Sequence, residues 1–274
     1  MAMKLKALEI AESAICAALY AVTGYVIYFF LPITTPGIGI VRFWPNVAIP
    51  AVFAVLFGPL VGGLGAAIGI FISDILIHGD PLLSLSAGVT SNFLGFYLIG
   101  YMSRKKVDWT RLIALSGMGC LIISLGSLLT TSYVIVPQIV ENRLMNQADF
   151  EAFMEGINPT VNGLNLFTAI IVAAFIVVIG VGYVWPKWRN YGVGSIIGLG
   201  VGSAIIGLVV WGYSQLFVLP PAVGGGFQLP FYAALLWLIW TFSTEIPFLV
   251  LLGPPIIEVC YKAFPSLKLS EKSR

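Results

Sequence analysis

Residues Phe43–Arg104 read FWPNVAIPAVFAVLFGPLVGGLGAAIGIFISDILIHGDPLLSLSAGVTSNFLGFYLIGYMSR. Two apolar segments meet at Gly58-Pro59 with no polar linker, and a third follows His78-Gly79-Asp80-Pro81. In water this stretch exposes too much apolar surface. In a bilayer it makes a tight helical hairpin followed by a third helix. Similar runs, of roughly 18 or more apolar residues, recur along the chain, each long enough to cross a hydrocarbon core of about 30 Å. Hydrophobic residues are 59% of the chain and charged residues 9%, against about 25% charged in a soluble domain. Short alternating strands are absent, and a helix satisfies its own backbone in lipid. The expected fold is all-α, a polytopic transmembrane helix bundle.

No soluble domain fits. The longest polar segment, near 138–160, is too short for its own core, so residues 1–274 read as a single integral membrane domain. The first helix lacks a small-residue cleavage site and reads as a retained span. A net charge of +2 argues against a nucleic-acid partner. Cys16, Cys120 and Cys260 lie in apolar segments without C-x-x-C spacing and read as small buried residues. His78 is the single histidine, so neither an H-E-x-x-H zinc site nor a metal centre is expected. No G-x-S-x-G surrounds a serine. Asp74 is the single aspartate within a span, so no paired-aspartate site exists. No catalytic residue is assigned, and the chain is not read as an enzyme.

About eight spans are expected, near 9–31, 44–57, 60–78, 84–103, 111–136, 161–185, 193–218 and 230–262. The last is too long to cross upright at 1.5 Å per residue. Pro247 and Gly253-Pro254-Pro255 offer places to break it. With the N-terminus inside, twelve of the fourteen Lys and Arg residues fall on the cytoplasmic side, and only Arg42 and Arg143 fall outside. Positive charge concentrates on the inner side of membrane proteins, so both termini are expected in the cytoplasm. Glycines recur four apart at Gly58/Gly62, Gly65/Gly69 and Gly194/Gly198/Gly202, the spacing of close helix packing in lipid. Residues 137–160 are expected to hold an amphipathic helix on the outer face, either a lid or a connector.

Polar groups inside apolar spans mark candidate sites. Asp74 and His78, one turn apart, are either a substrate-contacting pair or a helix-end hydrogen bond. Trp237, Thr241 and Glu245 recur every four residues and share a face. Pro247 frees the Ser243 carbonyl beside them. That stripe either lines a small-molecule cavity or stabilises a kink. Ser86, Thr90 and Asn92 offer hydrogen bonds near the start of the fourth span. Arg42, Phe43, Trp44 and Asn46 sit at the end of a non-helical loop, as an interfacial anchor or a gate. The candidate substrate residues are Arg42, Trp44, Asn46, Asp74, Thr90, Asn92, Trp237, Thr241 and Glu245.

Three features together resemble the S component of an energy-coupling-factor (ECF) transporter, the membrane-embedded substrate-binding subunit of a vitamin importer. They are Ala17-Ala18-Leu19-Tyr20-Ala21 with Ala14, the Pro50…Leu56-Phe57-Gly58-Pro59-Leu60-Val61-Gly62 hairpin with Gly69 and Asp74, and Asn92-Phe93-Leu94-Gly95-Phe96 closing at Arg104-Lys105-Lys106. The resemblance implies a six-helix core, with residues 1–110 as its N-terminal helices, 161–228 as added helices, and 229–274 as the last helix and a cytoplasmic tail. It implies docking through Ala14, Ala17, Ala18 and Ala21 onto a transmembrane coupling subunit that works with two ATPase subunits. It places the chain in a prokaryotic plasma membrane, capturing a small vitamin-like molecule outside and delivering it inward. No Walker A motif is present, so no cofactor is expected and ATP is used by the partners. The alternative is a stand-alone small-molecule carrier or channel.

Overall fold

The computed structural model describes residues 6–30, 44–105, 108–111, 113–114, 117–118, 121, 125, 140 and 147–267. Among these the chain is helical. It divides into two compact units, one formed by Met1–Val107 with Val184–Arg274 and the other by Asp108–Tyr183.

The first unit contains α1 (Ala7–Phe30), α2 (Ala48–Leu56, entered by a 3₁₀ turn at Pro45–Val47), α3 (Pro59–Ile77) and α4 (Pro81–Ser103). In the second unit, α5 runs Gln147–Val184, its last residue passing into the first unit. The chain then returns with α6 (Arg189–Ser214) and α7 (Tyr232–Ala263). Five described helical segments are long and apolar enough to cross a membrane; α2 is apolar but shorter. The span expected at 111–136 lies largely outside the described residues. No break separates the expected outer-face helix from the span after it, since α5 is continuous from Gln147.

The hairpin turns at Gly58, whose φ of 134° favours glycine, and Pro59 opens α3 at a position that needs no N–H. Arg104 closes the same end by donating from its guanidinium to the α2 carbonyls of Val55 at 3.1 Å and Leu56 at 3.3 Å. A cation there meets the negative end of the α2 dipole. Within α4, Ser84–Val89 form a wide π-type turn, a feature frequent at functional sites.

Six helices close a ring. α1 packs on α3, α3 on α4, α4 on α6, α6 on α7, and α7 returns to α2, which lies against α3 and α4. The α4–α6 crossing is made by glycines: a Cβ on Gly198 would meet the Gly95 carbonyl oxygen. That is the small-residue packing expected from the Gly194/Gly198/Gly202 ladder. α7 contains Pro247, Pro254 and Pro255 yet does not break. The Tyr191 hydroxyl donates to the Leu249 carbonyl at 2.8 Å and ties α6 to this proline-rich stretch.

The expected placement of added helices at 161–228 is corrected here. α6 is a wall of the ring, and the segment set apart is Asp108–Tyr183. The docking face is corrected too. Ala17 and Ala21 are buried, Ala17 in particular where Gly69 of α3 closes on its carbonyl, whereas Ala14 and Ala18 are exposed.

Candidate substrate-binding site

The ring encloses a cavity of about 910 Å³, open space at its mouth included. One wall is a closed polar network. Tyr20, 1% exposed in the middle of α1, donates its hydroxyl to Asn92 Oδ1 at 2.8 Å and accepts from Trp44 Nε1 at 2.9 Å. Asn92 donates onward to the Gly88 carbonyl at 2.9 Å. A tyrosine buried in an apolar bundle needs partners for its hydroxyl, and these three side chains satisfy one another. Trp44 and Phe96 meet the Tyr20 ring edge-on, with centroids 6.4 and 6.1 Å away. Asn46 stands behind this layer, donating to the Tyr20 carbonyl at 3.1 Å, and does not line the cavity.

A second network fills the mouth. Ser84 donates to Asp74 Oδ2 at 2.7 Å, and His78 Nε2 stands 3.6 Å from Asp74 Oδ1. The Asp80 N–H donates to His78 Nδ1 at 3.1 Å, which leaves the neutral imidazole's proton on Nε2, facing Asp74. Asp80 caps the first turn of α4 through the Leu83 N–H at 3.0 Å and accepts the Tyr213 hydroxyl of α6 at 2.6 Å. Burial alone raises the Asp80 carboxyl. The backbone N–H groups of the first turn of α4, Leu83 foremost, and the Tyr213 hydroxyl outweigh it and hold the group below its ordinary value.

The wall formed by α6 and α7 differs. Trp237 and Thr241 are 6% exposed and Ser203 is fully buried; with Glu245, all four line the cavity. Trp237 Nε1 and the Ser203 hydroxyl have no hydrogen-bond partner among the described residues. Residues 215–231 fold over the mouth. There the Leu219 N–H donates to the Gly226 carbonyl at 2.8 Å and Gln228 N–H to the Ser214 carbonyl at 2.7 Å. Leu219 and Val223 pack with Leu83, Val210, Ala233 and Trp237, and Val223 reaches the cavity.

Six of the nine residues expected from sequence therefore line one cavity: Trp44, Asp74, Asn92, Trp237, Thr241 and Glu245. Thr90 does not. It is exposed and its hydroxyl bonds back to the Ser86 carbonyl, so its hydrogen bond is satisfied within its own helix. Arg42 lies outside the described residues. Sequence reasoning missed Tyr20, Ser203 and the 215–231 cap. The first had a signal, a tyrosine at the middle of an apolar span. The cap had one in Leu219-Pro220-Pro221 followed by Gly224-Gly225-Gly226.

A ring of membrane-spanning helices around a largely apolar cavity, with a few fixed polar groups, defines a multi-pass membrane protein that binds a small molecule. The family model described as "ECF-type riboflavin transporter, S component" matches residues 4–183, and the chain belongs to that family. The resemblance read from the sequence is thereby borne out, and the family is one of transporter subunits, not enzymes. No curated protein and no solved structure matches the chain. The family match ends before α6 and α7, the helices that supply the wall with unpaired groups.

Proposed function

We propose that this chain is the substrate-binding subunit of an ECF-type importer and that its substrate is a planar flavin, riboflavin in the first instance. The observation that carries the reading is the cavity itself. It sits inside the six-helix ring, is walled by Tyr20, Trp44, Phe96 and Trp237, and opens where α3 ends and α4 begins. Flat aromatic walls with few polar groups suit a flat, polar-edged ring. The family description supplies the flavin.

In this reading the Trp44 end of the ring faces outward and both termini face the cytoplasm of a prokaryotic cell, an orientation that the division of Lys and Arg supports. The exposed pair Ala14 and Ala18 docks on a transmembrane coupling subunit. Two partner ATPases hydrolyse ATP, and this chain needs no cofactor of its own. The test is purification in detergent with and without its host's coupling subunits, followed by riboflavin titration read by flavin fluorescence. Saturable quenching at one flavin per chain, with ATPase subunits copurifying, is expected. A folded protein that ignores riboflavin defeats the substrate assignment. Uptake without any ATPase partner establishes a stand-alone carrier instead.

A further inference from the structure

The cavity is polar on two sides, but its two sides are in different states. The polar side chains that line it from α1, α3 and α4 have partners: Tyr20 with Asn92 and Trp44, Ser84 with Asp74, the Asp80 N–H with His78. Those that line it from α6 and α7 differ. Trp237 Nε1 and the Ser203 hydroxyl are buried with no hydrogen-bond partner among the described residues. The Glu245 carboxylate and Thr241 hydroxyl, which line the same cavity, make no hydrogen bond or ion pair to the described residues.

The contrast is sharp within each helix. Ser195 and Thr244 bond to carbonyls of their own helix, as membrane hydroxyls ordinarily do, whereas Ser203 and Thr241 point into the cavity without doing so. Leaving buried polar groups unpaired is costly, and two of them, Trp237 Nε1 and the Ser203 hydroxyl, face the same cavity as Thr241 and Glu245.

From this the geometry points to a specific assignment, which rests on the flavin reading above: the α6–α7 wall reads the ligand's cyclic imide edge, with Glu245 accepting the imide N–H. Donor and acceptor roles fix the orientation. A carboxyl keeps an acceptor oxygen in either protonation state, and an indole N–H only donates. A ligand that satisfies both presents a donor to Glu245 and an acceptor toward Trp237. The flavin ring carries one edge of that kind, an N–H flanked by two carbonyls. Trp237, Thr241 and Glu245 climb one face in steps of about 6 Å. The imide N–H meets Glu245, an adjoining carbonyl accepts from Thr241 one turn above, and Trp237 serves the next acceptor outward. Ser203 donates from α6. Recognition thus lies on helices beyond residues 4–183, the part the family model matches.

The test compares riboflavin with 3-methylriboflavin, which lacks only the imide N–H, on the full-length protein in detergent. Wild type is expected to bind the methylated ligand about three- to tenfold more weakly, the loss of one hydrogen bond. In Glu245→Leu the preference is expected to vanish, because both ligands then lack this partner. Trp237→Phe is expected to weaken both ligands about two- to tenfold alike. Should Glu245→Leu fail to fold, Glu245→Met, close to glutamate in length and without an oxygen, takes its place in the same comparison. Equal affinity of wild type for the two ligands overturns this assignment while leaving the flavin reading intact. A methyl penalty that survives in Glu245→Leu also overturns it, since the edge is then read elsewhere. Wild type that binds neither ligand overturns both.

Discussion

Tyr20 shows what a single residue does in this ring. Its hydroxyl is donor to Asn92 and acceptor for Trp44, so it joins α1, the entrance to α2, and α4. Tyr20→Phe keeps the ring and removes both bonds. Leaving buried groups without a partner costs about 1–3 kcal/mol, read as a lower melting temperature in detergent and weaker riboflavin binding. A variant as stable as wild type would mean that the network does not hold the wall. Asp80 offers a pH test at the mouth. Its folded carboxyl lies below its ordinary value, so its contribution is present above the unfolded value, about 3.9, and is lost as pH falls through the folded one. Wild type is therefore expected to be more stable than Asp80→Asn at pH 7, by no more than about 1 kcal/mol at a half-buried site open to solvent screening. The gap should close below about pH 4; a gap unchanged there would mean the charge is irrelevant. At this scale sequence reading reached the cavity lining where a polar side chain turns away from its own helix, as with Glu245 and Asp74. It failed at Thr90, whose hydroxyl bonds one turn back and needs nothing else.

Among elements, the α4–α6 crossing and the free face of α1 separate two uses of small residues. At Gly198 a side chain would run into the Gly95 backbone oxygen and Ile99. Gly198→Leu must therefore push the helices apart, and overpacking of this kind costs about 1–3 kcal/mol or more. The expected result is reduced thermal stability together with weaker binding, because the same crossing lines the cavity. Wild-type melting would show that the crossing is loose. On α1, Ala17 is buried and Ala18 exposed, though they are neighbours in the same motif. Ala14→Trp and Ala18→Trp should leave riboflavin binding unchanged and abolish uptake, while Ala17→Trp should damage folding itself. Normal uptake by both exposed-face variants would remove α1 as the docking helix. The spacing of small residues was legible in the sequence. Which neighbour each face meets was not, since spacing defines a stripe on a helix but not what lies against it.

For the whole molecule, apolar runs announced the spans because each must cover the hydrocarbon core. They did not announce which spans close the ring, because every one is apolar on all sides. That is why the sequence placed added helices at 161–228, whereas the structure sets apart Asp108–Tyr183 and uses α6 as a wall. The way the chain leaves and re-enters the ring follows the same division. Asn190, at the start of α6, donates its side-chain amide to the carbonyl of Lys105, at the end of α4. The ring's chain ends at this break are therefore neighbours, the arrangement that lets a segment be inserted into a domain or taken out of it. Every residue lining the cavity belongs to the first unit. A chain in which 108–183 is replaced by a short glycine-serine linker should insert, fold, and bind riboflavin within about threefold of wild type, a change under about 0.7 kcal/mol. The measurement is the same fluorescence titration on both proteins, with melting in detergent as the check on folding. A well-folded ring that no longer binds would place part of the recognition in 108–183, and the substrate would then be read by more than the six helices that enclose the cavity.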